Sequence, residues 1–348
     1  MELLLDTPTS LEVEEFIDSY TQLTDICFMG NDLSYLGDFS TGLYSLIRGQ
    51  ENLSVGMENI LKNDAVFINY LPKSEKLTTK DYLVGIENAI TDVFSAICNF
   101  FKRLSQGLID FIKKLFSLRR NISETNTENI KRLKPYFDKF QDSLNSIPAS
   151  TVIPHSTELE KILSKTQSVT SNMLKLDISS LDKEVLAVLS GKEDTKDFNI
   201  NYEKLLGSKY VEILKSIGID FQEDMPVFES VFVNTKTSSS IGRLGYNYGE
   251  LVSLNNILIK QIDPLQSHLQ KLTKTLEQIS NVLTKLENRI SEDEKNNDKY
   301  TPILKTLPNE VSKLIGLFQK ISLASLTYEY KLSEVITCLF NDFRSYTK

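Results

Sequence analysis

The sequence predicts an all-α fold, an elongated bundle of long helical hairpins with a small β-hairpin element near 227–246. Three observations carry that expectation. Residues 79–120 hold apolar side chains at helical spacing, among them Leu83, Ile86, Ile90, Ile97, Phe101, Leu104, Leu108 and Leu115, a pattern sustained for about nine turns. Residues 249–292 alternate apolar steps of three and four from Leu258 through Leu265, Leu272, Ile279 and Leu286 to Ile290, the a/d seam of a coiled coil. Only one passage, PVFESVFV followed by NTKTSSS and SIGRLGY, alternates as paired strands do.

Each element follows from local signals. Ser10 stands before LEVEEFIDSYTQL as an N-cap, with acidic residues in the first turns where the helix dipole favours them. Gly30, Asn31-Asp32, Gly37 and Gly42 predict turns across 26–42, with helical fragments near 43–48 and 52–63. Leu71-Pro72-Lys73 is a turn, and Thr78 and Thr79 are cap residues for the helix over 79–120. The polar run NISETNTEN predicts a connection into the helix KRLKPYFDKFQDSL, kinked or restarted at Pro135. The Pro/Ser/Thr-rich stretch from Ser146 to Pro154 is the expected boundary between an N-terminal helical region, 1–150, and a C-terminal one, 151–348. Helices are expected at 157–176, 180–190 and 199–217, with Gly191 and Gly218 as stops. The seam helix 249–292 contains Pro264, which predicts a kink, and helices follow at 302–323 and 325–346.

Composition narrows the function classes. With 348 residues, 41% hydrophobic and 25% charged, the chain reads as a soluble globular protein. A net charge of −8 argues against wrapping nucleic acid with the whole surface. The start MELLLDTPTS lacks the basic n-region of a signal peptide. Cys27, Cys98 and Cys338 are far apart, outside any CxxC pair, and read as buried free thiols. His155 and His268 have no ligand-type partner at metal spacing, and His268 reads as a surface residue flanking the seam. There is no GxSxG and no GxxxxGK[ST]. The sequence therefore predicts no catalytic residue, no cofactor, no metal and no small-molecule substrate.

What remains is the basic end of the first long helix. Phe100, Phe101, Lys102, Arg103, Phe111, Lys113, Lys114, Phe116, Arg119 and Arg120 combine rings and cations against a single Asp110. Three readings suit them. The rings can bury in the chain's own bundle with the charges solvated. The set can dock a partner protein or packaged DNA. It can lie on an anionic membrane surface, as Phe-rich basic helices do. The seam over 258–290 reads as half of an intrachain pair with the helix over 79–120.

Between Leu53 and Ile122 the chain resembles the internal head proteins of large tailed bacteriophages. The matching features are Gly85-Ile86-Glu87 opening the long helix, Phe100-Phe101-Lys102-Arg103, and the run Phe111-Ile112-Lys113-Lys114-Leu115-Phe116. The resemblance implies a non-enzymatic virion structural protein that packs its helices against other virion proteins. It implies contact with packaged DNA through the basic end of 102–120, and a place in the capsid interior after a period in the host cytoplasm. Members are trimmed after Glu by a prohead protease, and Ser10-Leu11-Glu12 suits that rule. The aromatic amphipathic stretch beside a second long helix is also similar to α-helical pore-forming toxins, which makes a membrane-active protein the alternative expectation.

Overall fold

Helix is the only regular secondary structure in the computed structural model, which describes residues 10–64, 67–73, 76–145, 248–290, 301 and 303–346. The expected hairpin near 227–246, the helices over 157–217, the boundary at 146–154 and His155 lie outside these residues. The elements are α1 (Ser10–Ile47), α2 (Val55–Asn63), α3 (Thr79–Asn145), α4 (Tyr248–Ile290) and α5 (Leu307–Tyr346).

The central element is α3, 67 residues long, which at 1.5 Å per residue is about 100 Å. It opens with a reciprocal cap. Asp81 N–H reaches Thr78 Oγ1 at 3.3 Å, while Thr78 N–H donates to Asp81 Oδ2 at 2.7 Å and Thr78 Oγ1 at 2.6 Å. These bonds hold the Asp81 carboxyl below its usual range and satisfy N–H groups that the helix start leaves open. Ser54 caps α2 similarly, accepting from Met57 N–H at 3.3 Å.

Three expected breaks are absent. α1 runs unbroken through 26–42. Its glycines are crossing points instead of turns: a Cβ on Gly37 would stand 2.2 Å from the Leu304 carbonyl oxygen, and one on Gly30 would stand 2.7 Å from Phe100 Cζ. Glycine here lets backbones approach, the use that a sequence pattern confuses with a turn. Residues 121–129 do not connect two helices but continue α3, and Pro135 lies inside it. The polar run is helical because Ile122 is buried in one core cluster and Ile130 in the next, and the polar side chains between them bond across to other helices. Likewise α5 is one helix of 40 residues and not two.

Direction follows from paired residues. α1 runs antiparallel to α3, since Glu15 pairs with Lys114 and the Phe16 ring lies 5.9 Å from Phe111, while Met29 Sδ is 3.7 Å from Arg103 Nη1. α4 is also antiparallel to α3: Arg120 bonds Asp263, and Asn255 bonds Thr127. α5 runs parallel to α3 and antiparallel to α1. Ser34 Oγ of α1 accepts the Asn309 N–H at 3.0 Å, so one helix caps the first turn of another. The seam of α4 is internal, with Leu265, Leu269, Leu272, Leu276, Ile279 and Leu283 all fully buried.

His268 corrects its expected surface position. It is 7% exposed, with its ring 5.4 Å from Phe318 of α5. A residue beside a two-helix seam faces solvent, but here α5 closes over that flank. Burial, reinforced by Lys271, lowers its pKa. Cys27 and Cys98 are buried free thiols, and burial pushes the Cys27 thiol up to about 12, so it stays protonated at neutral pH. No helix among the described residues is long and apolar enough to cross a membrane.

Candidate functional site: a buried polar layer beside the basic end

The apolar interior divides into two clusters. The larger takes residues from α1 to α5, including Leu118 and Ile122 of α3, Ile262 of α4 and Leu326 of α5. The smaller holds Ile130, Leu133 and Phe137 of α3, Leu251, Leu254 and Leu258 of α4, and Leu332, Ile336, Leu339 and Phe340 of α5. Buried polar residues gather at the junction, among the apolar ones: Arg119, Ser123, Asn126 and Asn129 on α3, Asn255 and Gln261 on α4, and Glu329 on α5.

At its centre is an ion pair in which both side chains are fully withdrawn from water. Arg119 Nε donates to Glu329 Oε1 at 2.9 Å. Nη2 also lies 2.9 Å from that oxygen, close enough for charge pairing without the alignment of a second hydrogen bond. The guanidinium carbon sits 5.8 Å from the centre of the Phe116 ring, a distance at which the ring face attracts a cation. Asn126 Nδ2 donates to the Glu329 carbonyl at 3.2 Å, and Ser333 Oγ donates to Asn126 Oδ1 at 2.7 Å. Burial pushes the Glu329 carboxyl up to about 7, against the pull of Arg119.

Arg119 Nη1, Glu329 Oε2, Ser123 Oγ and both amide atoms of Gln261 are buried without a hydrogen-bond partner. A pair so incompletely bonded returns little of its desolvation penalty. Its effect is to fix which residues may face each other, because any slip of α3 against α5 would strand one of the charges in an apolar layer.

The sequence-expected docking residues split between interior and surface. Phe100, Phe101, Phe111 and Phe116 are all 1% exposed or less, in the chain's own core. Phe100 and Phe101 meet edge to face at 5.2 Å. Arg119 is the buried ion-pair residue. Lys114 bonds Glu15, and Arg120 bonds Asp263 at 3.0 Å and Gln266 at 2.6 Å. Lys102, Arg103 and Lys113 remain on the surface. The structure thus draws the rings inward and leaves a narrower cationic row outside.

Sequence reasoning missed Glu329, Asn126 and Gln261. The signal was present: Leu326, Glu329, Ser333, Ile336 and Phe340 keep steps of three and four along α5, so Glu329 occupies a core position of that row. Outside the layer, α3 and α4 enclose an open groove of about 460 Å³ whose lining includes Arg120, Glu124, Lys131, Ile259 and Asp263. Its charges are mixed. Among the described residues no group of three or more His, Cys, Asp or Glu side chains is placed to hold a metal ion.

Comparison with protein-family models, curated proteins and solved structures gives no match.

Proposed function

We propose that the chain is a non-enzymatic structural protein of the head interior of a tailed bacteriophage, made in the host cytoplasm and acting by packing its helices against other virion proteins. In this reading the whole chain forms an elongated bundle of helical hairpins, with a small β-hairpin near 227–246. The observation that carries it is the resemblance over Leu53–Ile122, and the position of that segment supports it. Its second half is the part of α3 on which α1, α4 and α5 converge, so the residues that carry the resemblance also organise the fold.

Protein neighbours suit the surface better than DNA does. Of the cations at 102–120, Lys114, Arg119 and Arg120 are engaged by Glu15, Glu329 and Asp263, which leaves few for phosphate. A membrane-active role would require Phe100, Phe101, Phe111 and Phe116 to leave the core they fill. The test is quantitative mass spectrometry of gradient-purified particles before and after genome release. Stoichiometric presence is the expected result. Absence from particles overturns the reading, and flotation with anionic vesicles would then bring the membrane-active reading forward.

A further inference from the structure

The outer face of α1 has an unusual composition. The helix carries no lysine, arginine or histidine over its 38 residues. Glu14, Asp18, Asp25 and Asp32 are exposed, and none of them pairs with a described residue. At 100° per residue these four fall within about 40° of one another, so they form a single acidic row. Beside it stand Phe28, 42% exposed, Met29, 37%, and Tyr35, 71%. Aromatic side chains so exposed along an acidic row suit a contact surface better than a solvated face.

The neighbouring helix carries the complement. Lys102 and Lys113 of α3 are exposed, also without a described partner, and lie within about 20° of each other by the same geometry. From the seam where Glu15 meets Lys114 and Met29 meets Arg103, the acidic row lies about 40–80° around α1 and the lysine pair about 100° around α3, in line with Arg120. That seam also sets their levels. Glu15 is opposite Lys114 and Gly30 is opposite Phe100. Lys113 therefore stands at the height of Phe16, between Glu14 and Asp18, and Lys102 at the height of Phe28, between Asp25 and Asp32.

We infer that two copies of this chain pair face to face about a two-fold axis parallel to the helices, with α1 of each copy lying on α3 of the other. Such an axis keeps every residue at its own height. It places Lys113 of one copy between Glu14 and Asp18 of the other, and Lys102 between Asp25 and Asp32, twice over, with the helices antiparallel. Phe28 and Tyr35 become covered. Asp110, the one acid among the cations, is already turned to Gln106, whose Nε2 is 3.3 Å from both its carboxylate oxygens. Each contact is about 27 Å long and roughly one helix wide, so the pair buries on the order of 1,000 Å² in total. That is the lower edge of a specific interface, so the pairing is weak, sensitive to salt and favoured at high local concentration. The inference rests on the chain acting through helix packing and not on its place in a particle.

Sedimentation velocity of the full chain tests it. A dimer at low ionic strength that dissociates as salt is raised is the expected result. Asp18→Lys with Asp32→Lys, and separately Lys102→Glu with Lys113→Glu, should each leave a monomer at low salt with unchanged helical circular dichroism. Mixed in equal amounts, the two variants should pair again, because each then meets its opposite charge in both contacts. A chain that stays monomeric at every salt concentration overturns the inference. So does a dimer that neither reversal weakens, or reversed variants that fail to pair when mixed. Loss of the chain from purified particles would overturn the proposed function and leave this result standing.

Discussion

Arg119 and Glu329 lie 210 residues apart in sequence and meet with Nε and Oε1 2.9 Å apart, both side chains closed off from water. Removing Glu329 leaves a buried guanidinium unpaired, and removing Arg119 takes away the one pull that favours the charged form of the buried carboxyl, which must then take up a proton. Arg119→Met or Glu329→Leu alone should each destabilise the protein by about 3–5 kcal/mol. The double variant should lose much less than the sum, and can match the parent. Denaturant unfolding of all four proteins measures the coupling. Additive losses would show that the two side chains do not act as a pair.

The same carboxyl makes stability depend on pH. Glu329 is raised from 4.5 to about 7 by burial, so between those values the folded chain binds a proton that the unfolded chain releases. The contribution of this group is present in full below pH 4.5 and is lost as pH rises through about 7. His268, lowered by burial and Lys271, acts oppositely: its contribution is present above about 6.5 and is lost as pH falls. The difference in melting temperature between the parent and Glu329→Gln isolates the carboxyl. The parent's advantage, or the smallness of its deficit, should decline steadily from pH 4.5 to pH 7. A flat difference would refute the assignment.

Glycines in one helix should respond with opposite signs. Gly42→Ala meets open space and should stabilise by about 0.5–1 kcal/mol, because alanine loses less conformational entropy in a helix. Gly37→Ala meets the Leu304 carbonyl oxygen at 2.2 Å and should destabilise by about 1–3 kcal/mol. Thermal unfolding of the two single variants decides the matter. Equal shifts of the same sign would mean that α1 does not cross close to Leu304.

Leu276→Asp should destabilise by several kcal/mol, since Leu276 is fully buried in the α4 seam and the new carboxylate would have no partner. A near-neutral change in urea midpoint would place that seam on the surface of the free chain.

These cases also show where sequence was a sufficient guide. The two long apolar rows were legible because burial on one side imposes a period that nothing else produces: Leu83 to Leu115 in α3 and Leu258 to Leu283 in α4 lie where the spacing puts them. The cap at Thr78 was legible because a threonine three residues before an acid is a local signal, whereas the Ser54 cap of α2 was not picked out. Gly30 and Gly37 were misread because a glycine that admits a neighbouring backbone looks, in one dimension, like a glycine that turns the chain. The run at 121–129 was misread because its polar residues find partners on α4 and α5, more than a hundred residues away in sequence. The polar layer is a property of three helices together. Arg119 looks like one more surface cation until Glu329 is brought opposite it.

The junction between the two apolar clusters has a mechanical consequence. The larger cluster is braced by α1, whereas among the described residues the smaller one is built from α3, α4 and α5. Polar groups, some of them unbonded, separate the two. When α3 and α4 are pulled apart from the three-helix end, load reaches this layer only after that end has opened, so the three-helix end should yield first as a separate event while the braced end holds. An optical-tweezers record of the chain, pulled from handles at Asn145 and Tyr248, should show two steps with the smaller extension first, so that the molecule behaves less like one rod than like a stiff shaft with a detachable tip.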